Sequence, residues 1–205
     1  RAFCAFCHAA GYVASNPARL VRRARTRPPT PKGVSAADAQ RLLAELEQAT
    51  TAVERRDRML FALMLRTGLR LGSVIGLDVE DLDLEAGEIV VRSLKGGGDD
   101  TVVVPGDMIE PLVEHIGERR SGPLFVATHG GRLGARHVRR RLEQWAERAG
   151  IPATHPHALR HAFALRLYEK TGDVLLTARA LCHRSVASTA IYARPTLSAV
   201  RAAIG

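Results

Sequence analysis

The run His157-Ala158-Leu159-Arg160-His161-Ala162-Phe163-Ala164 is where the chemistry of this chain is densest. On a helix, His157 and His161 lie four residues apart on one face, a spacing at which two imidazoles can ligate a metal. A hydrolytic zinc helix would want Glu directly after the first histidine, and Ala158 stands there instead. Arg160, in the same turn, would set a fixed positive charge against any cation. Imidazole beside guanidinium suits an anion better, because both offer N–H donors and neither supplies negative charge.

Working outward, the other residues that could serve an anionic phosphodiester stand at element boundaries. Arg70 follows Gly68, which reads as the glycine that ends a helix, and it offers forked donors to nonbridging oxygens. Lys95 opens the turn Lys95-Gly96-Gly97-Gly98-Asp99-Asp100 between two β-like runs. Only three of the thirty basic residues are lysines, Lys32, Lys95 and Lys170, and lysine, unlike arginine, can surrender its proton. His183 and His157 can donate to a phosphate or shuttle protons. Tyr192 supplies a phenol, a weak nucleophile until its proton leaves or nearby cations stabilise its anion.

The charge distribution favours a polyanion. The chain of 205 residues carries +9, with Lys+Arg 30 against Asp+Glu 21. Residues 1–32 hold +7, residues 33–122 hold −7 and residues 123–205 hold +9, so positive charge gathers at the two ends, as suits neutralising phosphates. No apolar run reaches the ~18 residues of a membrane span, and no membrane partner is expected. Three cysteines cannot close a disulfide framework and point to a reducing, cytoplasmic setting. Cys4-Ala5-Phe6-Cys7-His8 has the spacing of a haem attachment site, but with no export signal beside it two small side chains one turn apart are the better reading.

The elements are mostly helical. Helices are expected from Ser35 to about Ala49, Glu54 to Thr67, Gly72 to Leu77, Asp107 to Arg119, Gly134 to Ala149, His157 to Thr171, Asp173 to Leu181, Val186 to Tyr192 and Leu197 to Ala203. Glu88–Leu94 and Thr101–Val104 read as a hairpin, and Leu124–Val126 as a short extended piece. The fold class is therefore α+β, mainly α-helical, with a small antiparallel sheet whose hairpin carries Lys95. Residues 1–32, ending in the stiff Arg27-Pro28-Pro29-Thr30-Pro31, read as the tail of a preceding domain and a linker; residues 33–205 form the main domain.

Together these positions resemble the tyrosine recombinase (phage integrase) family over residues 33–205. Thr67-Gly68-Leu69-Arg70-Leu71 is similar to its first arginine box. Lys95 and its glycines are similar to its β-hairpin lysine, and His157 to His161 to its H-x-L-R-H box. Leu181-Cys182-His183 followed by Ser188-Thr189-Ala190-Ile191-Tyr192 is similar to its last histidine and nucleophilic tyrosine. The resemblance implies the family's catalytic fold, with residues 1–32 as a remnant of the core-binding domain. It implies site-specific DNA recombination or integration through a 3′-phosphotyrosyl intermediate, without cofactor, metal or ATP. In that chemistry Tyr192 is the nucleophile, Arg70 and Arg160 hold the phosphate, Lys95 is the general acid, His157 assists as acid/base and His183 supports the phosphate.

Further expectations follow from the resemblance. The partner is double-stranded DNA, contacted by Arg136, Arg139, Arg140 and Arg141 of the basic helix. The assembly is a homotetramer on DNA, joined by exchange of C-terminal tails in which Leu197, Val200 and Ile204 anchor. Accessory DNA-bending or directionality proteins, and a cytoplasmic, nucleoid-associated location, complete the picture. Mobile-element integrases and chromosome-dimer resolvases both fit. Two positions depart from the family pattern: Ser73 stands where an acidic residue is common, and Cys182 replaces the usual glycine before the last histidine. The alternatives are a catalytically silent DNA-binding module of the same fold and a type IB topoisomerase.

Overall fold

Met59, Leu60, Phe61, Leu63, Met64 and Leu65 are all buried, too many for one face of a helix, so the helix that carries them must be covered on several sides. It is the central element of a computed structural model that describes residues 1–21, 33–92, 98–183, 186–192 and 201, with the backbone alone at 187. The chain divides into two compact units, Arg1–Thr30 and Pro31–Gly205. In the first, α1 (Ala2–Ala9) buries none of its residues, and Cys4 and Cys7 lie half-buried one turn apart.

The second unit opens with α2 (Ala36–Leu46), whose Ser35 side chain accepts the Asp38 N–H. The central helix is α3 (Ala52–Thr67). It starts two residues before the expected Glu54 because Thr51 and Glu54 form a reciprocal capping box, which makes Glu54 the third helical residue. α4 (Leu71–Gly76) follows. The sheet has three antiparallel strands rather than a bare hairpin: β1 (Leu82–Asp83), β2 (Glu88–Val91) and β3 (Asp100–Val103), in that order. Ile89 faces Leu82 on one side and Val102 on the other. The tip of the β2–β3 hairpin, including Lys95, lies outside the described residues.

α5 (Ile109–Ile116) ends at Gly117, φ +59, short of the expected Arg119. The Arg119 guanidinium instead donates to His115 O, Ile116 O and Pro123 O, capping the helix from outside. α6 (Ala135–Arg148), α7 (Pro156–Thr171) and α8 (Val174–Ala180) complete the helices of this unit among the described residues. The helix expected over Val186–Tyr192 is a correction: only a 3-10 turn, Val186–Ser188, forms there, followed by turns. The segment is too short to nucleate a helix unaided, and the Thr189 hydroxyl bonds His183 instead of solvent. Of the helix expected over Leu197–Ala203, only Arg201 lies among the described residues, and it is helical and exposed.

α3 packs on α2, α5 and α7. α6 is tied to α3 through a buried carboxylate, Asp57, 2% exposed. Asp57 accepts from Arg56 (2.8 Å), from Arg141 Nε (2.5 Å) and from Trp145 Nε1 (3.2 Å). A buried charge met this fully fixes the register of two helices. No helix among the described residues is long and apolar enough to cross a membrane.

Candidate active site

Three chain segments meet at one guanidinium. Arg160, on the first turns of α7, is 3% exposed. Its Nη1 donates to Gly68 O at 2.6 Å and its Nη2 to Leu181 O at 2.6 Å. It thereby joins the end of α3, the end of α8 and the start of α7. A guanidinium has five N–H donors, so these two bonds leave others for a ligand.

Gly68 makes the first junction possible. It ends α3 at φ +67, a conformation costly for any residue with a Cβ. A Cβ there would also lie 2.3 Å from Phe163 Cδ1 and 3.0 Å from Leu181 Cδ2. Gly68→Ala is expected to destabilise the protein by about 1–3 kcal/mol, from φ strain and overpacking together. Urea unfolding checks this, and a change below about 0.5 kcal/mol would contradict it. Two residues on, Arg70 is the N-cap residue of α4 and is exposed.

The second junction is a helix end closed by its own backbone. The His183 N–H donates to Ala178 O and the Cys182 N–H to Arg179 O, the paired bonds of a Schellman motif. The motif needs a left-handed residue at position 182, and Cys182 has φ +50, the one positive φ at a non-glycine among the described residues. The departure from glycine noted in the sequence therefore falls where glycine is cheapest. His183 emerges directly from the motif, and its Nδ1 lies 2.7 Å from the Oγ1 of the fully buried Thr189.

The start of α7 is set by Pro156 in its first turn and by His155, whose Nδ1 accepts the Ala158 N–H at 3.2 Å. His157 is exposed. Its ring meets that of His161 edge-on, with centroids 4.4 Å apart. Tyr192 is 7% exposed, and its Oη is hydrogen-bonded to His161 Nδ1. The phenol thus sits beside polar groups and not in apolar packing alone.

The electrostatics of these groups are mutual. Burial, then the positive field of Arg70, pulls Arg160 down to about 10. Burial, followed by Arg160, Arg70, His157 and His161, pulls His183 down to about 4. Burial, followed by His157, His155 and Arg160, brings His161 to about 4. His157 is lowered by burial, then by Arg160, His155 and Arg70. These imidazoles are therefore neutral at neutral pH, as expected where cations gather with no anion between them. Burial raises the Tyr192 phenol, against a lowering pull from Arg160. Burial raises the Cys182 thiol and Asp100 adds to it. Asp100, which also meets Arg179 at 3.4 Å, thus brings β3, one strand of the hairpin that carries Lys95, beside this group.

Arg160 is thus the common centre: Arg70 and Tyr192 act on it and it acts on His157, His183 and Tyr192, while Lys95 lies outside the described residues. From the sequence, His161 enters only as a weighed metal ligand beside His157 and as part of the H-x-L-R-H box, and Thr189 has no role of its own. The H-x-x-R-H spacing, which sets His161 on the face of His157, was the available signal for the first; nothing marked the second. Arg136, Arg139 and Arg140 are exposed near the start of α6. Arg136 and Arg140, with His129, Arg132 and His137, line an open cavity of about 580 Å³. Arg141, grouped with them in the sequence, is committed to Asp57 and to Gln144 Oε1, at 2.7 Å.

Residues 33–198 match the Phage integrase family. The chain is 34% identical over 167 residues to the tyrosine recombinase XerC of Chromobacterium violaceum, covering 79% of this chain and 55% of that protein. It is 31% identical over 204 residues to XerC of Thermodesulfovibrio yellowstonii, covering 94% of this chain and 67% of that one. Among solved structures it resembles the XerH site-specific recombinase bound to its difH substrate, at TM-score 0.76 and 26% identity over 89% of this chain and 56% of that one. The Tn1549 transposon integrase in complex with circular intermediate DNA shares the fold, at TM-score 0.79 and 21% identity over 100% of this chain and 76% of that one. The chain spans between about half and two thirds of the length of these XerC relatives.

Proposed function

Because this chain belongs to the phage integrase family, we propose that it breaks and rejoins DNA as the catalytic part of a site-specific tyrosine recombinase, through a 3′-phosphotyrosyl intermediate. The observation that carries the reading is Arg160: a buried guanidinium, bonded only to carbonyls among its described hydrogen bonds, with the field of a second arginine upon it. A buried cation without a counter-charge is costly, and a bound phosphodiester supplies that charge.

The chemistry follows from the groups. Tyr192 Oη passes its proton to His157, attacks the phosphorus and forms the P–O bond to the 3′ side, while the bond to the 5′ oxygen breaks. Arg70 and Arg160 hold the nonbridging oxygens and stabilise the charge that builds on them. Lys95 protonates the departing 5′ oxygen, His157 assists proton transfer, and His183, held by Thr189, donates to the phosphate. The ester stores the bond energy, so a 5′-hydroxyl from another strand reverses the attack without ATP.

Arg136, Arg139 and Arg140 serve as backbone contacts on DNA. Leu175 and Leu176 of α8 are exposed, at 63% and 45%, as is Val186 at 40%; this apolar patch fits the tail of a neighbouring protomer in a tetramer. Residues 1–32 fit the end of a core-binding domain, and DNA-bending or directionality proteins would act on the assembled complex.

The test offers the protein a nicked duplex carrying its site, so that cleavage is trapped. A Tyr192-dependent covalent adduct is expected. Tight binding without an adduct would make the chain a silent module, and relaxation of supercoils without strand exchange would make it a topoisomerase. Lys95→Arg is expected to slow adduct formation by about 10²–10⁴-fold, with recovery on a substrate whose 5′ leaving group is sulfur and needs little protonation. Absence of recovery would remove the acid role.

A further inference from the structure

We infer that His161 is a positioning residue that parks the nucleophile, holding the Tyr192 phenol in the DNA-free protein through a bond that must be given up before attack. The inference rests on the reading of Tyr192 as nucleophile and adds a residue to which that reading gives no task.

The geometry is specific. Tyr192 Oη is bonded to His161 Nδ1, and the two rings lie 5.5 Å apart at 59°. The phenol is thereby held in a second small cluster with Ala164 and Leu181, against Phe163, Tyr168 and Ile191. With the imidazole neutral and its proton on Nε2, Nδ1 is a good acceptor for the phenol O–H. Burial, followed by His157, His155 and Arg160, brings His161 to about 4, so it accepts the bond without taking the proton, and a phenol that keeps its proton is a poor nucleophile. The other face of the arrangement is His157, whose ring meets His161 edge-on at 4.4 Å. Displacement of His157 toward a phosphate would therefore be felt at the contact that holds Tyr192. Arg160 lies one residue before His161 and supplies the pull toward the phosphate instead.

The test uses the whole chain with two readouts. The first needs no DNA: the Tyr192 phenol is titrated by NMR with labelled tyrosine. The second is the rate of covalent adduct formation on the nicked duplex in a single turnover. His161→Phe keeps the ring and its packing but removes the acceptor. It is expected to lower the phenol pKa and to speed adduct formation about three- to tenfold, the worth of one net hydrogen bond. His161→Asn, whose side-chain oxygen lies near the position of Nδ1, is expected to restore both values toward those of the unaltered protein. An unchanged phenol titration in His161→Phe, or adduct formation that is equal or slower, overturns the inference. A titration difference between His161→Phe and the unaltered protein, with no adduct from either, supports the His161 contact and overturns the recombinase reading instead.

Discussion

Arg160→Ala is expected to slow covalent adduct formation by about a thousandfold, because in the proposed chemistry Arg160 is a preorganised donor to the charge that develops on the phosphoryl oxygens. The structure adds that it also loosens the fold. The side chain is buried and donates to Gly68 O and Leu181 O, so its removal leaves two carbonyls facing a cavity. Each orphaned acceptor costs about 1–3 kcal/mol. Relief of the repulsion from Arg70, which helps pull Arg160 down to about 10, offsets part of this. A net loss of about 2–3 kcal/mol in urea unfolding is therefore expected. Arg160→Lys separates the two effects. An ammonium keeps the charge but not the planar fork, so it is expected to recover part of the stability while the rate stays down by about a hundredfold. An alanine variant whose rate falls less than tenfold would remove Arg160 from the phosphate site.

What the sequence disclosed follows from where the functional residues sit. Several of them stand beside the punctuation of helices, and punctuation is written locally. Gly68 marks the end of α3, Thr51 and Glu54 mark its start, and Asp173 caps α8 by accepting from Leu175 and Leu176. Arg70, His157 and Arg160 are each within a few residues of such a signal. Contacts between distant segments leave no local mark. Arg141 is 84 residues from Asp57, and nothing near it distinguishes a core ion pair from a DNA contact. His161 is 31 residues from Tyr192, and only the folded chain brings them together. β1 is two residues long, too short for alternation to show. At position 182 the sequence shows a departure from glycine but not the backbone behind it: a left-handed residue is usually announced by glycine, and here the chain spells cysteine.

Tyr192→Phe is expected to abolish the adduct while leaving the fold and DNA binding in place. The substitution keeps the ring that packs against Ala164 and Leu181 and loses only the bond from Oη to His161, so stability should change by no more than about 1 kcal/mol. DNA binding, proposed to rest on Arg136, Arg139 and Arg140 of α6, should stay within about twofold. The loss of chemistry is expected to be total because the oxygen removed is the atom proposed to attack. The nearest competitor is Tyr168, the other tyrosine of this unit, partly buried against the same small cluster. Both are aromatic and both lie by α7, so position alone does not choose between them. The environment does: Tyr192 feels Arg160 and bonds His161, which sets its oxygen beside the groups proposed to hold the phosphate. Labelled nicked duplex, resolved on a denaturing protein gel, decides the matter. An adduct that survives Tyr192→Phe and vanishes in Tyr168→Phe would transfer the nucleophile to Tyr168 and undo the arrangement of Arg70, Arg160 and His183 around Tyr192.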